Sequence, residues 1–284
     1  EYLVNLYKGG HYDYIKSILY PETIFPARIP TIFPVPTSAF QYHLTTSLSP
    51  NVNGAVAMVW NPYFMTESLG AGNVYSTFFV NNNAALVGNG ASNFFVSTEV
   101  GYNTLPPGLY GSFKIVSASI IVSYVGRLDA SSGVIGIGVG LNNQTGIGAP
   151  QLLGTVDPGS TIFGNFLLID NLYYSSRSSA INGCRGIYFP IDQKYLNFLS
   201  VYTGGGGAFG GTIANCYQAG FYFVIYGQNL PTSSTAPILR VDMYVNVECI
   251  VQPAYANFVP TELPTASNVD VLGEIGNTIK ANPE

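Results

Sequence analysis

Alternation of apolar and polar residues is the clearest signal in this sequence, and it is strongest between Phe113 and Gly140. From Lys114 to Val125, β-branched and aromatic residues alternate with Ser and Ile, which is typical of a strand with one more apolar face. From Gly133 to Leu141, large apolar side chains alternate with glycines, so that one face is almost bare and another backbone can approach it closely. The intervening GRLDASSG is rich in the residues that turns require. The pattern predicts a β-hairpin of two long strands.

The same signals recur along the chain and predict strands throughout, with little helix. Besides the hairpin, the long runs are Phe40–Leu48, Gly54–Trp60, Arg185–Pro190, Tyr195–Tyr202, Gly220–Gly227 and Ile238–Val251. Two shorter runs, Val74–Val80 and Phe94–Thr98, lie between turns rich in Asn and Gly. About eight long strands in one β domain predict a two-sheet sandwich or jelly roll.

Several segments depart from this strand pattern. In residues 1–38, a short helix is predicted near Tyr12–Leu19, and the four prolines of FPARIPTIFPVP then exclude a regular helix and favour an extended arm. Clusters of Gly, Ser and Asn predict that residues 142–183 and 203–218 lie outside the sandwich as surface segments. In residues 265–281, apolar residues at every third or fourth position predict a short amphipathic helix.

Charge is the unusual feature of the composition. Asp, Glu, Lys and Arg make up 9% of the 284 residues, against about 25% in an average soluble domain. Because charge-poor surfaces tend to associate, we expect much of this surface to be buried against other subunits. No run of about 18 apolar residues is present, which argues against a membrane span. The net charge of −5 argues against nucleic-acid binding by these residues themselves.

The three cysteines, Cys184, Cys216 and Cys249, are odd in number, widely spaced and without a C-x-x-C pair. This spacing does not fit a disulfide framework or a zinc site. They are interpreted as small buried residues of a protein from a reducing compartment.

Candidate catalytic motifs lack the context that their chemistry needs. GGGAFG, at Gly205–Gly210, has the glycine spacing of a dinucleotide site, but GTIANC follows it where a helix is required, so it is interpreted as a surface loop. Of the two histidines, His11 and His43, the second lies in a strand pattern without a recognisable Ser-His-Asp order. The carboxylates are isolated, which does not support a glycosidase pair, and the sequon at Asn143 is interpreted as chance. No catalytic or cofactor-binding residue is predicted.

Three stretches resemble a known family. VSASIIVSYVGRLDASSGVIGIGVG, together with GFYFVIYGQNL and APILRVDMYVNVECIVQP, is similar to coat proteins of small icosahedral viruses of the nodavirus and tombusvirus type, including the related capsids of algal single-stranded DNA viruses. In those proteins a strand ending in Tyr-x-Gly leads through a Ser/Gly turn to the next strand. Their last strand ends in a Glu followed by a short Pro segment, here Glu248 and Pro253. The resemblance covers roughly Phe40–Pro253.

This resemblance implies an all-β, eight-stranded antiparallel jelly-roll sandwich with interleaved BIDG and CHEF sheets, long inserted loops, an extended N-terminal arm and a short C-terminal helix. The implied strands are B near 40–48, C near 54–61, D near 112–125, E near 133–141, F near 184–190, G near 196–202, H near 219–227 and I near 238–251. The implied domains are an arm at 1–38, a shell domain at 39–253 with surface insertions near 142–183 and 203–218, and a tail at 254–284.

The implied function is that of a structural capsid protein, not an enzyme, which self-assembles into an icosahedral shell around the genome inside the host cell and resides in the virion. Its implied partners are identical subunits, viral nucleic acid, and a host receptor that contacts the surface loops. Because a capsid must offset phosphate charge and this sequence is net negative, a basic segment is expected upstream of Glu1. Packaging by a separate protein or by counterions is the alternative.

Two properties of related shells stay unassigned to residues. Some relatives cleave their own chain after an Asn near the C-terminus, and no family motif marks such a bond here. The candidate bonds are Asn257–Phe258, Asn268–Val269 and Asn282–Pro283. Many relatives also hold Ca²⁺ between subunits through carboxylate oxygens, and the sequence has no D-x-x-D pair, so a metal site is left open. The available aspartates are Asp129, Asp157, Asp170, Asp192 and Asp242.

A second interpretation comes from another class of protein. A β-sandwich carbohydrate-binding or adhesion module would use exposed tyrosines such as Tyr173, Tyr174 and Tyr202 as a platform for sugar rings. The mass of the native particle separates the two interpretations. A closed shell of many copies supports the capsid protein, and a monomer or small ring supports the module.

Overall fold

The chain folds almost entirely into β-strands. The computed structural model describes residues 10–23, 27–31, 34–67, 74–81, 96–100, 108–141, 174–188, 196–200, 221–232 and 237–264. One helix, α1, spans Gly10–Leu19. The strands are β1 Ser38–Leu48, β2 Val56–Glu67, β3 Val74–Asn81, β4 Val96–Val100, β5 Tyr110–Tyr124, β6 Val134–Leu141, β7 Tyr174–Ser179, β8 Cys184–Tyr188, β9 Leu199–Ser200, β10 Phe221–Gln228 and β11 Leu239–Val251. The predicted helix near Tyr12 is present, and so are the other predicted long strands in outline, but the described part of the run predicted at Tyr195–Tyr202 contains only the two-residue strand β9.

Within the described residues the strands form two antiparallel sheets. Sheet A has the order β1-β11-β5-β8, and β9 pairs with the other end of β5. Sheet B has the order β4-β3-β2-β10-β6-β7. The chain passes from sheet A to sheet B between β1 and β2, and again between β5 and β6. The two sheets therefore interleave as in a jelly roll. The predicted all-β jelly-roll sandwich is confirmed.

One strand assignment is wrong. The run near 184–190, expected to be strand F, is β8, and it pairs with β5 from Ala118↔Tyr188 to Val122↔Cys184. It therefore lies in sheet A and, with β9, occupies the position expected of strand G. Strand F is instead β7, which pairs with β6 from Val134↔Ser179 to Val139↔Tyr174.

The new place of β7 also changes a predicted surface segment. Residues 174–179 belong to the edge of sheet B, so the segment expected at 142–183 does not extend through them. The β7 sequence YSSRSS has almost no apolar residues, and a strand at the edge of an antiparallel sheet can be polar in this way. Apolar patterning therefore gave no sign of this strand. Residues 142–173, 203–218 and 265–281 lie outside the described residues.

The core lies between the two sheets. Every odd-numbered residue of β11 from Leu239 to Val251 belongs to it, as the two-residue period of a strand requires. In sheet B, Trp60 and Phe223 are cross-strand neighbours whose rings stack with centroids 5.4 Å apart. The side chains buried most completely in this core include Trp60, Phe78, Phe113, Tyr188 and Phe223.

A β-bulge interrupts the alternation predicted for β5. Ser117 pairs with Asn246 and Ile115 pairs with Val247, which leaves Val116 without a partner in the ladder. Ile115 and Ala118 lie in the core, so Val116 and Ser117 both point to the outer face of sheet A. A bulge bends the strand and places two successive side chains on one side, and here both contact the N-terminal part of the chain.

The bare face of β6 is filled by an aromatic ring. Gly136 pairs with Tyr226, and a Cβ atom at Gly136 would overlap the Tyr226 ring. Tyr226 is buried. The close approach that these glycines predicted is thus made by a side chain at this position, where a backbone was expected. No helix among the described residues has the length and apolar character to cross a bilayer.

Candidate functional site

The outer face of sheet A, which points away from the core, is polar along its central strand. Between the core positions of β11 lie Arg240, Asp242, Tyr244, Asn246 and Glu248. Asn246 and Glu248 are fully buried, and Asp242 is nearly so. Buried polar groups need hydrogen-bond partners. They are supplied by β1, β5 and the N-terminal segment, by which we mean residues 10–23 and 27–31.

Glu248 joins several parts of the chain. Its carboxylate lies 3.0 Å from the Lys114 Nζ atom, accepts a hydrogen bond from the Thr37 hydroxyl at 2.8 Å, and accepts another from the Ile29 backbone N–H at 3.0 Å. The side chains of Lys114 and Glu248 are 4% and 0% exposed. A buried carboxylate with donors on β5 and at two points before β1 fixes the path of the N-terminal segment across the sheet.

The Lys114–Glu248 pair is held in a dry environment. Burial lowers the pKa of the Lys114 ammonium, although the Glu248 carboxylate acts in the opposite direction. The Nζ atom also lies 4.4 Å from the centroid of the Phe198 ring, which is a cation–π distance. Since both ions have left water, the pair is stable only while both partners are present.

Amide and hydroxyl groups continue this network along the outer face. The Asn246 side chain donates to the Pro21 carbonyl at 3.0 Å and to the Ser117 hydroxyl at 2.9 Å. Gln41 donates to the same carbonyl at 2.6 Å and to the Asn246 amide oxygen at 3.1 Å. Ser117 and Ser17 of α1 lie 2.7 Å apart, oxygen to oxygen. The bulge in β5 is what brings Ser117 to this position.

A second ion pair fixes the end of α1 to β8. Arg185 lies 2.9 Å from the Glu22 carboxylate and donates to the Leu19 carbonyl at 2.6 Å. Its guanidinium also lies 5.8 Å from the centroid of the Tyr20 ring. Because Leu19 is the last residue of α1, the arginine satisfies a carbonyl that the helix itself leaves open.

The N-terminal segment has an apolar cluster of its own, separate from the main core. The helix contributes Tyr14, Ile15 and Ile18, which lie on one face of α1. Strand β5 contributes Val116, the residue at its bulge. The cluster consists of Tyr14, Ile15, Ile18, Ala27, Ile29 and Val116, with Leu19 and Leu196 packed against it. The segment is therefore attached to sheet A by polar contacts around a small apolar centre.

The chain's C-terminal part is fixed on the same side. After β11, Glu262 forms a β-bridge with Thr37, with backbone hydrogen bonds of 2.9 Å in both directions. Arg28 of the N-terminal segment lies 2.7 Å from the Glu262 carboxylate and donates to the Thr37 carbonyl. Both ends of the described chain thus meet next to the outer face of sheet A.

Further along the outer face, toward the start of β11, a cluster of polar residues surrounds Asp242. Its carboxylate accepts hydrogen bonds from Arg240 at 2.9 Å and from the Thr45 hydroxyl at 2.7 Å, and it lies 3.0 Å from His43 Nε2. His43 stacks on Tyr244 with ring centroids 4.2 Å apart and planes within 4°. Partial burial acts to raise the pKa of Asp242, but hydrogen bonds from Arg240, Thr45 and His43 outweigh it, so the pKa is lowered.

The grouping of Thr45, His43 and Asp242 does not have the geometry of a catalytic triad. The Thr45 hydroxyl lies 3.3 Å from His43 Nε2, and the Asp242 carboxylate contacts that same nitrogen. A triad needs the acid on one ring nitrogen and the nucleophile on the other, because the acid orients the base. In addition, Thr45 already donates its proton to Asp242. The cluster is a polar surface contact between β1 and β11.

The predicted burial of the cysteines is confirmed for two of three residues, and the reducing compartment stays a prediction. Cys184 and Cys249 are buried free thiols, and burial raises the pKa of the Cys249 thiol. Cys216 lies outside the described residues. A thiol whose pKa is raised carries little thiolate and is a poor nucleophile, so Cys249 is a packing residue.

The carboxylates that could hold Ca²⁺ are scattered where they are described. Asp129 pairs with Arg127 on the surface at 2.6 Å, and Asp242 is occupied by the contacts above. Among the described residues, no group of three or more His, Cys, Asp or Glu side chains could hold a metal ion. The remaining candidate aspartates, Asp157, Asp170 and Asp192, lie outside them.

Other residues singled out from the sequence fall in three places. His11 is in α1 and half-buried. Asn257 and Phe258 follow a short 3-10 helix at Pro253–Tyr255 and are exposed. Tyr174 begins β7. Outside the described residues lie Asn143, Tyr173, Tyr202, Gly205–Gly210, Asn268 and Asn282.

Sequence reasoning missed the network around Lys114 and Glu248. One signal was available, because both residues are charged positions inside strongly apolar strands of a chain with 9% charged residues. Charges in such places are paired when buried. What the pattern could not supply is the register that places Lys114 opposite Glu248.

A cavity of about 330 Å³ lies beside this pair. Its described lining mixes apolar residues, such as Leu196, Phe198 and Ile250, with polar ones. The two charged groups in that lining, Lys114 and Glu248, bind each other, so neither is available to anchor a charged ligand.

Comparison with known proteins identifies the architecture. No protein-family model and no curated protein matches the sequence. Among solved structures, the chain is similar to the protein of T=1 particles derived from infectious bursal virus, with 10% identity, a TM-score of 0.60, and coverage of 95% of this chain and 90% of that one. It is also similar to the VP2 subviral particle of infectious bursal disease virus, with 10% identity, a TM-score of 0.58, and coverage of 94% and 93%. The Gt strain of that virus gives 12% identity, a TM-score of 0.59, and coverage of 94% of both chains. At these identities the likeness establishes a shared fold alone.

The buried pair leads to a first prediction. Replacing Lys114 with Met removes the ammonium and leaves Glu248 charged and buried, so we expect a loss of about 3–5 kcal/mol in the free energy of unfolding. The double variant Lys114→Met, Glu248→Gln removes both charges and should recover more than half of this loss. Urea unfolding measures the free energy of unfolding of the wild type and of both variants. Arg127→Met, which breaks the exposed pair with Asp129, is the control and should change little. An equal effect of Lys114→Met and Arg127→Met would contradict the role of the pair.

The cluster at Asp242 leads to a prediction on pH. Because the pKa of Asp242 is lower in the folded state than its usual value of 3.8, this carboxylate stabilises the fold above that value. The stabilisation is lost as the pH falls through the lower folded-state pKa. We expect Asp242→Asn to make stability less dependent on pH between about pH 5 and pH 2. Urea midpoints at several pH values measure this, with Asp129→Asn as the exposed control. Parallel curves for the wild type and Asp242→Asn would disprove it.

Proposed function

We propose that this chain is the structural subunit of a viral capsid, which self-assembles into an icosahedral shell that encloses the genome. The observation that carries the proposal is the interleaved two-sheet fold, shared over 94–95% of the chain with proteins of infectious bursal disease virus particles. Composition supports it independently, because 9% charged residues are too few to cover the surface of an ordinary monomer of this size.

A structural role without catalysis fits the described residues. Among the described residues, the grouping at His43 resembles a triad but has the wrong geometry, and the buried thiol of Cys249 is a poor nucleophile. What the described chain builds with its polar residues is a network that fixes its own N-terminal segment on sheet A. These polar side chains therefore have a structural role, since they hold the N-terminal segment in place.

The positions of the N-terminal segment and of Glu262 support an orientation. The N-terminal segment and Glu262 meet beside the outer face of sheet A. We place this side toward the genome, so that a basic segment upstream of Glu1 extends into the interior and contacts phosphates. Surface insertions within 142–173 and near 203–218 would then face outward and contact a host receptor. In this proposal residues 1–38 form the arm, 39–253 the shell domain and 254–284 the tail, and the protein assembles in the host cell and resides in the virion.

The carbohydrate-binding alternative has no observation in its favour. Of the three tyrosines proposed as a sugar platform, Tyr173 and Tyr202 lie outside the described residues, and Tyr174 lies at the end of an edge strand. The fold comparisons point to virus particles. We therefore propose the capsid function and not the carbohydrate-binding one.

Particle mass tests the proposal. We expect the purified protein to assemble into closed shells of many tens of copies, since a chain that lacks surface charge associates through uncharged contacts. Native mass spectrometry and negative-stain electron microscopy measure this. A protein that stays a monomer or a small ring at all concentrations would be incompatible with a shell subunit.

A further prediction concerns the charge that packaging requires. The net charge of −5 cannot offset nucleic-acid phosphates, so we expect subunits from purified particles to carry a segment rich in Arg and Lys before Glu1. Intact-mass measurement with peptide mapping decides this. A subunit mass near 30.4 kDa without an upstream basic peptide would contradict the prediction and would assign charge neutralisation to another protein or to counterions.

A further inference from the structure

Strand β1 forms one edge of sheet A. Within the described residues it pairs with β11 along all 11 of its residues without a bulge, and no strand lies on its other side. Alternate residues of an antiparallel strand turn their backbone N–H and C=O groups to opposite sides. A strand that pairs on one side only therefore leaves the backbone groups of every second residue available to another strand.

Two contacts show which residues of β1 turn away from β11. The Leu48 carbonyl accepts a hydrogen bond from the N–H of Ile238, just before β11, so the even-numbered residues of β1 face β11. Thr37, an odd-numbered residue immediately before β1, exchanges backbone hydrogen bonds with Glu262 instead. The odd-numbered residues of β1 therefore direct their backbone groups to the outside of sheet A.

Only the second half of this strand is open to the outside. Toward its start, β1 is flanked by Glu262 and by the N-terminal segment. Toward its end, the odd-numbered residues His43, Thr45 and Ser47 are exposed. We call this segment, residues 43–47, the free edge.

Strand β1 lacks the features that usually keep edge strands from pairing with other molecules. Proteins protect such strands by making them short or by placing charged residues, prolines or bulges in them. The other described edge strands follow this rule, since β4 (VSTEV), β7 (YSSRSS) and β8 (CRGIY) each have five or six residues including a charged one, and β9 has two residues. Strand β1, SAFQYHLTTSL, has 11 residues and contains no Asp, Glu, Lys, Arg, Pro or Gly. Among the described edges, it is the one suited to pairing.

The composition of the free edge indicates which partner fits. Because it contains no Asp, Glu, Lys or Arg, it can lie antiparallel to the same edge of a second copy without placing such charges opposite each other. About a two-fold axis through Thr45, His43 would pair with the second copy's Ser47. An isologous contact of this kind is the commonest way to join identical subunits. A nucleic acid or an anionic membrane would instead require excess positive charge.

The charges nearest to the free edge do not oppose this contact. Asp242 lies next to Thr45 in the register of β1 on β11, and Arg240 pairs with it at 2.9 Å. In the joined sheets, three strand spacings of about 4.8 Å would separate the two copies of Asp242, which gives about 14 Å. That distance exceeds the screening length of about 8 Å at physiological salt.

We propose that the free edge of β1 pairs, antiparallel and about a two-fold axis through Thr45, with the free edge of a second copy of this chain. Backbone hydrogen bonds at His43, Thr45 and Ser47 form the contact, so that sheet A continues from one subunit into the next. The proposal rests on the capsid function proposed above and identifies one contact between its subunits.

A cysteine at the axis tests the register. Thr45→Cys places two thiols on Cα atoms about 5.5 Å apart, which a disulfide can span, so we expect mild oxidation of assembled protein to convert most of it to a covalent dimer. Phe258→Cys is the control for random collision, because Phe258 is 82% exposed and lies after β11. The wild type, in which Cys184 and Cys249 are buried, sets the background. Non-reducing electrophoresis measures the dimer, and no more dimer from Thr45→Cys than from Phe258→Cys would contradict pairing at Thr45.

A proline at Ser47 tests the backbone contact. Ser47→Pro removes an N–H that faces the second copy and leaves the bonds to β11 in place, and edge strands tolerate proline at such positions. We expect the assembled fraction to fall about tenfold or more, because the two-fold axis makes the loss occur twice. The circular dichroism spectrum and the urea midpoint should stay close to those of the wild type. Ser47→Ala keeps the N–H and is the matched control, which should assemble normally in sedimentation velocity and electron microscopy.

A lysine at Thr45 gives a second variant, for the case that proline disturbs the strand. Thr45→Lys places two like charges opposite each other at the axis, so it should also assemble poorly. Because salt screens charges, raising the salt concentration should restore part of the assembly of Thr45→Lys and should not restore that of Ser47→Pro.

The outcomes separate this proposal from the capsid function. Normal shells from Ser47→Pro and Thr45→Lys would overturn the pairing and leave the capsid function standing. A disulfide from Thr45→Cys to a different protein of the particle would also overturn it and would assign the free edge to that protein. If the wild type forms no shells but Thr45→Cys cross-links into dimers, the pairing holds and the capsid function fails. A wild type that is monomeric at every concentration overturns both.

Discussion

Glu248 sits where β11 is covered on both faces, and the other features of the described chain follow from how that double burial is satisfied. On one side of the strand lie the apolar residues of the core. On the other, the carboxylate binds Lys114, Thr37 and the Ile29 backbone. A central strand buried on both faces would ordinarily be apolar throughout. Here one face is polar, so it accepts a covering segment only in the position where each hydrogen bond is made.

That requirement gives the N-terminal segment a defined path across sheet A. An apolar face would hold an amphipathic segment in many positions, since apolar contacts have little directionality. The carbonyl of Pro21 and the backbone N–H of Ile29 must instead meet Gln41, Asn246 and Glu248. The small apolar cluster around Ile18 then adds affinity without specifying position. Directional contacts set the geometry, and apolar burial supplies the driving force.

Most of the sandwich could be predicted from the sequence, because strands buried on one face have a two-residue period that is visible in β1, β5, β6 and β11. β7 could not, since YSSRSS, at the edge of sheet B, has almost no apolar residues. Because β7 was not predicted, β8 was assigned as strand F and was therefore expected in sheet B, although it pairs with β5 in sheet A. The bulge at Val116 was also hidden, because an apolar residue fits either face and only its neighbours in space decide which one it takes.

The site was less accessible to sequence reasoning than the fold. Lys114 and Glu248 are 134 positions apart, and nothing local to either one identifies the other as its partner. Pairing needs the register of β5 on β11, which the bulge shifts by one residue between Asn246 and Val247. Periodicity gives the face on which a residue lies, but it does not give the residue opposite. Interactions of this kind become visible only when strands are aligned in three dimensions.

At one end of the sandwich, the turns between the two sheets are joined by backbone hydrogen bonds, from Leu230 to the Gly54 carbonyl, from Ala180 to the Gly133 carbonyl and from Val125 to the Ile238 carbonyl. Backbone donors and acceptors are the same whichever side chain is present. Substitutions at the exposed residues Val52, Leu128 or Ile181 therefore change the surface of these turns without changing their path. Gly54 and Gly133 are the exceptions, because their positive φ angles and close backbone neighbours admit no side chain. The side chains that these turns present can therefore change over evolutionary time while the backbone that presents them stays constant.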